Sequence, residues 1–282
     1  MQVLSSIDSV RSYRSSLPIG TQVGFVPTMG FLHQGHFSLI NASQNDNEVT
    51  IVSIFVNPLQ FGPKEDLANY PRDLERDKQR LEAEGVDVLF LPSVESMYPE
   101  LMNGLLTRVA VDEAFSSRAC GAFRPDHFEG VATVILKLFN IVAPCNAYFG
   151  LKDYQQFVLI KRMIDDFNLD ISIQGLPTLR EPDGLAMSSR NTYLNAEDRA
   201  LAPMVNMMLH KILPLLREGG SIADGRVVFE SQLSAISPRF RVQYLEVYDR
   251  SYEPVTTIVA DERVIVCAVY LGDVRLIDNL LF

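Results

Sequence analysis

The chain has no tryptophan, only three cysteines and four histidines, and fewer cations than anions, and each shortage removes a class of protein. Cys120, Cys145 and Cys267 are odd in number, far apart and without metal-ligand spacing, which argues against a disulfide framework or a zinc site. Reduced thiols in a cytoplasmic setting are expected. No stretch approaches the roughly 20 apolar residues of a membrane span, and residues 1–16 lack the apolar core of an export signal, so neither membrane nor secretion is expected. With 25 Lys and Arg against 35 Asp and Glu, the formal net charge is -10. A nucleic-acid groove needs a dense cationic surface, and none is present. A local phosphate site stays open, because it needs only a helix N-terminus and a few nearby cations.

What is present is an apolar fraction of 47 % over 282 residues, including 16 Phe and 10 Tyr, enough to bury a sizeable core. Over the first two-thirds, apolar runs alternate with amphipathic segments. The runs predict strands at 21–26, 49–56, 86–91, 147–149 and 170–175, and recurrence at three and four residues predicts helices over 36–44, 74–84, 128–142 and 154–167. That order implies an α/β, Rossmann-like, doubly wound parallel sheet with ligands at the strand C-termini. Composition changes in the loop 176–191, which carries Pro177, Pro182 and Gly184. The expected division is a Rossmann-like domain over 1–176 and a smaller C-terminal α+β domain over 177–282. The second should hold helical stretches at about 196–217 and 223–237 and strands at 242–248 and 263–271.

Four segments can carry chemistry. In Pro27-Thr28-Met29-Gly30-Phe31-Leu32-His33-Gln34-Gly35-His36, a strand ends in a Gly-containing turn and enters a helix, where free N–H groups and the dipole favour an anion. His33 and His36 lie three apart and can face one ligand. A metal pair, or two polar residues at a helix cap, would look the same. The loop Met187-Ser188-Ser189-Arg190-Asn191 has hydroxyls and a guanidinium to meet phosphate oxygens, or is a plain interdomain linker. In Gly150-Leu151-Lys152-Asp153 with Gln156, the ammonium can reach phosphates, or Asp153 simply caps a helix beside a surface Lys. Asn57 and Gln60 end an apolar run where amides suit a small hydroxy acid, though turn residues would look alike. Arg124 and His127 flank a further helix and give the weakest signal.

Taken in order, these segments resemble the pantothenate synthetase family, within the nucleotidyltransferase superfamily that shares its catalytic fold with class I aminoacyl-tRNA synthetases. The resemblance spans nearly the whole chain. It rests on Pro27-Thr28-Met29-Gly30 before His-x-Gly-His, Phe55-Val56-Asn57-Pro58 with Gln60-Phe61, Tyr70-Pro71-Arg72, Arg124-Pro125 with His127-Phe128, Lys152-Asp153 with Gln155-Gln156, Ser188-Ser189-Arg190-Asn191, and Leu271-Gly272-Asp273 with Arg275 to Asn279. It implies a ligase that joins pantoate and β-alanine with Mg-ATP through a pantoyl-adenylate, releasing AMP and pyrophosphate. A related nucleotidyltransferase moving AMP to another small acceptor, or a catalytically silent nucleotide sensor, would share the fold.

By matching positions, the resemblance assigns ATP to Met29, Gly30, His33, Gly35 and His36, with His36 the favoured catalytic histidine. Lys152, Ser188, Ser189 and Arg190 would hold the triphosphate beside Met187, with Lys152 and Arg190 taking part in catalysis. Gly150 and Asp153 would meet the nucleoside and Leu179 the adenine. Pantoate would lie on Gln60 and Gln156 near Asn57, with Gln60 also able to meet β-alanine, and Asp77 would be a magnesium-associated acid. The resemblance also implies a homodimer and moving loops at Phe61 to Leu67 and around Ser188. Two departures stand out: Leu151 and Cys120 occupy positions where the family usually carries an acid.

Overall fold

The computed structural model describes residues 1–63, 65–99, 101, 107–255 and 263–282. Six strands form one wholly parallel sheet: β1 Gln2–Leu4, β2 Val23–Thr28, β3 Val49–Ile54, β4 Val88–Phe90, β5 Asn146–Gly150 and β6 Ser172–Leu176, in the order β1-β4-β3-β2-β5-β6. Strand β3 is buried at every position, as a strand covered on both faces must be. On one face, the helices Ile7–Ser16, His127–Val142 and Tyr154–Asp166 close over Phe25, Ile51, Phe90 and Phe149. On the other, the helices Gln34–Asp46 and Leu74–Ala83 cover Val26, Val52 and Leu89. This is the expected α/β doubly wound architecture.

The chain moves outward from β2 in one direction through β3 and β4, and in the other through β5 and β6. The switch point therefore lies between β2 and β5, and the crevice beyond their C-terminal ends is where such sheets receive ligands. Three of the four candidate segments leave the sheet at that edge, residues 29–36 after β2, 57–60 after β3 and 150–153 at the end of β5, and Leu179 follows β6 there.

A smaller antiparallel sheet, β7 Phe240–Asp249, β8 Arg263–Leu271 and β9 Val274–Leu281, follows two helices, Met204–Arg217 and Ile222–Ile236. Both of its faces are buried. Leu245, Ile265, Cys267 and Val269 pack against those two helices, while Tyr244, Val264, Val266 and Ala268 pack toward Tyr154 and Val158 of the larger unit. That double burial explains why β8 reads as one apolar run.

Local departures from expectation have identifiable causes. β1 and the helix Ile7–Ser16 were not expected, because β1 has three residues and the helix buries only Val10. The single helical stretch 196–217 is two helices, Ala196–Leu201 and Met204–Arg217, interrupted at Pro203, whose ring removes a backbone donor. The unexpected β9 carries Arg275, Asp278 and Asn279 inside its apolar pattern. Lys64, within the loop expected to move, lies outside the described residues.

Candidate active site

Beyond Thr28 the chain turns through Met29 to His33. Phe31 sits in the left-handed region at φ 51, which costs a residue with a side chain. Asp77, in the helix Leu74–Ala83, holds it there: its carboxylate accepts the N–H of Phe31 at 2.6 Å and of Leu32 at 2.8 Å. Arg76 and Arg80 both donate to the Leu32 carbonyl, and the Arg76 guanidinium lies 4.5 Å from the centre of the Phe31 ring. Asp77 is 1 % exposed and does not line the cleft. Both of its carboxylate oxygens are engaged by the main chain, which gives Asp77 a structural part in shaping the histidine turn. Among the described residues no three His, Cys, Asp or Glu side chains converge on a metal site.

The helix Gln34–Asp46 starts two residues earlier than its periodicity suggests, with His33 as N-cap. The His33 Nδ1 accepts from the Gly35 N–H at 3.2 Å, and the His36 Nδ1 accepts from the His33 N–H at 3.2 Å. A main-chain N–H only donates, so both Nδ1 atoms carry lone pairs and both protons sit on Nε2. Burial, followed by the nearby Lys152 ammonium, lowers His33 to about 4; burial, then His33 and Lys152, holds His36 well below its usual value. Both rings are thus neutral Nε2–H donors at pH 7, suited to oxyanions and not to proton abstraction. Gly35 is required for this, since a Cβ there would lie 2.9 Å from the His33 ring.

After β5, a single 3-10 turn places Lys152 with its Nζ 3.6 Å from Asp153 Oδ2. The buried Asn279 of β9 donates to the carbonyls of Leu151 and Lys152, both at 2.8 Å, so the small sheet fixes the segment bearing the ammonium. Asp278 takes a two-pronged ion pair from Arg180 at 2.8 and 2.9 Å, tying down the loop that follows β6. These two residues were quoted for the resemblance but given no part. Of the adjacent glutamines, Gln155 is buried and holds the 115–120 turn by donating to Phe115 and Arg118 and accepting from Cys120, while Gln156 lines the cleft.

After β3, Asn57 is 1 % exposed and Gln60 is 9 % exposed. The Asn57 Nδ2 donates to Gln60 Oε1 and to the Gly130 carbonyl, each at 3.1 Å; Gln60 Nε2 donates to the Met29 Sδ at 3.1 Å. Gly130 permits this approach, since a Cβ there would lie 2.3 Å from the Leu59 carbonyl oxygen. Arg124 can only donate to His127 Nε2, 3.0 Å away, so the His127 proton is on Nδ1 and goes to the Gln60 carbonyl at 2.8 Å. Burial, with Arg124 adding to it, lowers His127 to about 3. The weakest of the sequence signals is therefore the clamp on the Gln60 main chain.

The strap Ser189–Tyr193 closes the cleft from above. Ser188 Oγ accepts from the Arg190 N–H, and Ser189 Oγ donates to the Phe31 carbonyl at 3.2 Å, joining the strap to the histidine turn. Leu179 accepts the Met187 N–H through its carbonyl, 3.0 Å away, and keeps an exposed side chain. Arg190 gives two donors to Asp66, at 2.9 and 2.7 Å, and Tyr193 donates to the Asn69 carbonyl at 2.9 Å. A parallel pair, Glu65 with Arg124, fixes the same loop at 2.7 and 2.6 Å. Glu65 and Asp66 were overlooked; their signal was two adjacent acids in a loop expected to move.

Met29, His33, Gly35, His36, Asn57 and Gln60 line one cavity of about 230 Å³ together with Gly150, Lys152, Asp153 and Gln156. Leu179 and Met187 to Arg190 complete its wall. Gly30 and Asp77 do not line it. A larger cavity of about 450 Å³ between the two units shares Lys152, Gln156, Ser188 and Arg190. Its wall contains Cys120, whose Sγ lies 4.0 Å from Arg124 Nη1 and 3.7 Å from Arg275 Nη2, so weak N–H···S contacts stand where an acid would make salt bridges. Leu151 is half-buried against the apolar cluster that contains Tyr154 and Val158.

The family model described as pantoate-beta-alanine ligase matches residues 2–281. A pantothenate synthetase of Thermosipho africanus is 46 % identical over 286 residues, covering 100 % of both chains. One from Thermodesulfovibrio yellowstonii is 49 % identical, covering 93 % of this chain and 92 % of its own. The crystal structure of pantothenate synthetase from Thermus thermophilus superposes with a TM-score of 0.90 at 45 % identity, covering 99 % of each chain. That of the Francisella tularensis enzyme, complexed with beta-gamma ATP and beta-alanine, gives 0.84 at 37 % identity, covering 100 % of this chain and 97 % of the other.

Proposed function

The chain belongs to the pantoate-beta-alanine ligase family, and we propose that its cleft at the switch point between β2 and β5 joins pantoate to β-alanine, converting ATP to AMP and pyrophosphate. The observation that carries this reading is convergence: two neutral imidazole donors, an ammonium, a guanidinium and two glutamines from four separate segments line one cavity.

In the first step a carboxylate oxygen of pantoate bonds to the α-phosphorus of ATP, and the bond from that phosphorus to the bridging oxygen breaks to release pyrophosphate. Charge builds on phosphate oxygens, where the Nε2–H groups of His36 and His33 donate, while Lys152, Ser188 and Arg190 meet the departing pyrophosphate. Gln60 and Gln156 hold the acid. In the second step the free amine of β-alanine bonds to the acyl carbon, the carbon–oxygen bond to AMP breaks, and the amine loses a proton. No side chain need form a covalent intermediate, so the protein's contribution is position and electrostatics. The strap and the 61–67 loop would keep water from the adenylate.

The donor set does not form a magnesium site of its own, since Asp77 is engaged by main-chain donors and no cluster of acids among the described residues faces the cavity. Magnesium is proposed only as the companion of the ATP phosphates, keeping most of its waters. A cytoplasmic setting accords with three unpaired cysteines, and no helix among the described residues is long and apolar enough to cross a membrane. A homodimer, implied by the resemblance, is testable by sedimentation.

The decisive assay follows AMP release from ATP with pantoate and β-alanine supplied separately and together. Multiple turnovers only when both are present are expected. Turnover that never depends on β-alanine would transfer the reading to a nucleotidyltransferase with another acceptor.

A further inference from the structure

Gln60 meets the cleft with one end of an amide whose two ends have opposite chemistry, and its neighbours decide which. Its Oε1 accepts from Asn57 Nδ2, so its Nε2 lies toward Met29, whose sulfur is a weak acceptor. Asn57 is itself fixed on every polar atom. Its Oδ1 receives the Leu59 N–H at 3.3 Å and the Tyr98 hydroxyl at 2.9 Å; its Nδ2 gives to Gly130 and Gln60. Reversing the Asn57 amide would set its nitrogen against the Leu59 N–H and its oxygen against the Gly130 carbonyl. A hydroxyl can accept as well as donate, so Leu59 and Gly130 set the sense of the Asn57 amide, and the Tyr98 hydroxyl, the shorter of the two contacts to its oxygen, holds it in place. Tyr98 is 2 % exposed, and does not itself line the cavity.

We propose that Tyr98 is a positioning residue for the acid substrate: its hydroxyl pins Asn57, whose amide, set in sense by Leu59 and Gly130, turns the Gln60 amide so that the cleft meets an N–H donor. This rests on the function proposed above. It also divides the labour of the two substrates. A donor at Gln60 recognises a carboxylate or hydroxyl oxygen of pantoate, which would replace the Met29 sulfur, and offers nothing to the ammonium of β-alanine. Asn57 then acts through Gln60, with its side chain wholly occupied by the protein.

The test is Tyr98→Phe in the full chain, beside the wild type. The ring keeps its contacts with the Phe55 ring, 6.0 Å between centres, and with the Lys137 ammonium, 5.6 Å from its own centre. One orienting hydrogen bond lost should raise the KM for pantoate about five- to tenfold. The KM for β-alanine and the Kd for ATP should stay within about twofold. A lower Tm with the pantoate KM unmoved, or three constants rising together, overturns the proposal. Should that variant not fold, Asn57→Asp decides: it keeps the oxygen that receives the Tyr98 hydroxyl and replaces the donor facing Gln60 by an oxygen, which turns the Gln60 amide and brings its oxygen to the cleft. A pantoate KM raised about a hundredfold or more with ATP still bound supports the orientation; a pantoate KM within about twofold of the wild type refutes it. If the wild type itself gives no pantoate-dependent AMP, the function fails first, a result distinct from a working enzyme indifferent to Tyr98.

Discussion

The histidine turn and the strap face each other across one cavity, yet they are held by different forces. Phe31, Leu32, His33 and His36 are fixed by main-chain hydrogen bonds to Asp77, Gly35 and His33. No ligand needs to displace these bonds. Arg190 and Arg124 are held by carboxylates of one loop, Asp66 and Glu65, so at the proposed ATP site phosphate oxygens would have to compete directly for Arg190. One wall is thus set before substrate arrives, as transition-state stabilisation requires, and under the proposed function the other would exchange a protein anion for a substrate anion.

The largest effect should come from breaking the fixed wall. His36→Ala removes one oriented Nε2–H, and loss of a single preorganised donor typically slows such a step about a hundredfold. Single-turnover adenylation with ATP and pantoate measures it, with circular dichroism unchanged. A rate equal to the wild type would mean that the imidazole only caps its helix.

The fixed wall was also the more legible from sequence. A strand, a Gly-containing turn and a histidine pair announce themselves locally, and so did the doubly wound sheet, because buried strands and amphipathic helices leave strong periodicities; the switch point came only with the strand order. The supports came from afar and left none. Asp77 lies 45 residues from the N–H of Leu32, Tyr98 lies 41 from Asn57, and Asn279 lies 127 from the Lys152 carbonyl. A lone acid, a lone phenol and a polar pair inside an apolar strand have no local pattern. The polar residues that make β9 useful are the same ones that hid it as a strand.

Freeing the exchangeable wall sharpens the contrast. Burial pushes the Asp66 carboxyl up, but hydrogen bonds and charge from Arg190 outweigh it and leave the group below its ordinary value. At neutral pH Asp66 is therefore a full competitor for the guanidinium. Asp66→Asn should tighten ATP binding about two- to fivefold, the scale of one partly exposed ion pair, with a slightly lower Tm. Calorimetric titration with ATP checks it. Unchanged or weaker binding would mean that Asp66 positions the strap for phosphate instead of competing with it.

The smallest effect is an expected flatness. His33 is lowered to about 4 and His36 lies well below its usual value, so neither gains a proton between pH 6 and pH 8. The adenylation step should then vary less than about twofold over that range, since both donors persist unchanged. Stability should behave otherwise. The unfolded chain protonates these imidazoles near pH 6.5, whereas folded His33 and His127 wait until about 4 and about 3. The unfolded state thus binds more protons as the pH drops below 6.5, and these groups make the fold progressively less stable there while leaving it unaffected above. Urea titrations at pH 7.5, 6.0 and 5.0, run beside single-turnover assays at the upper two, separate the effects. Adenylation falling tenfold as the pH passes downward through 6.5 would mean that one imidazole works by titrating, and the fixed wall would be a proton carrier instead of a donor pair.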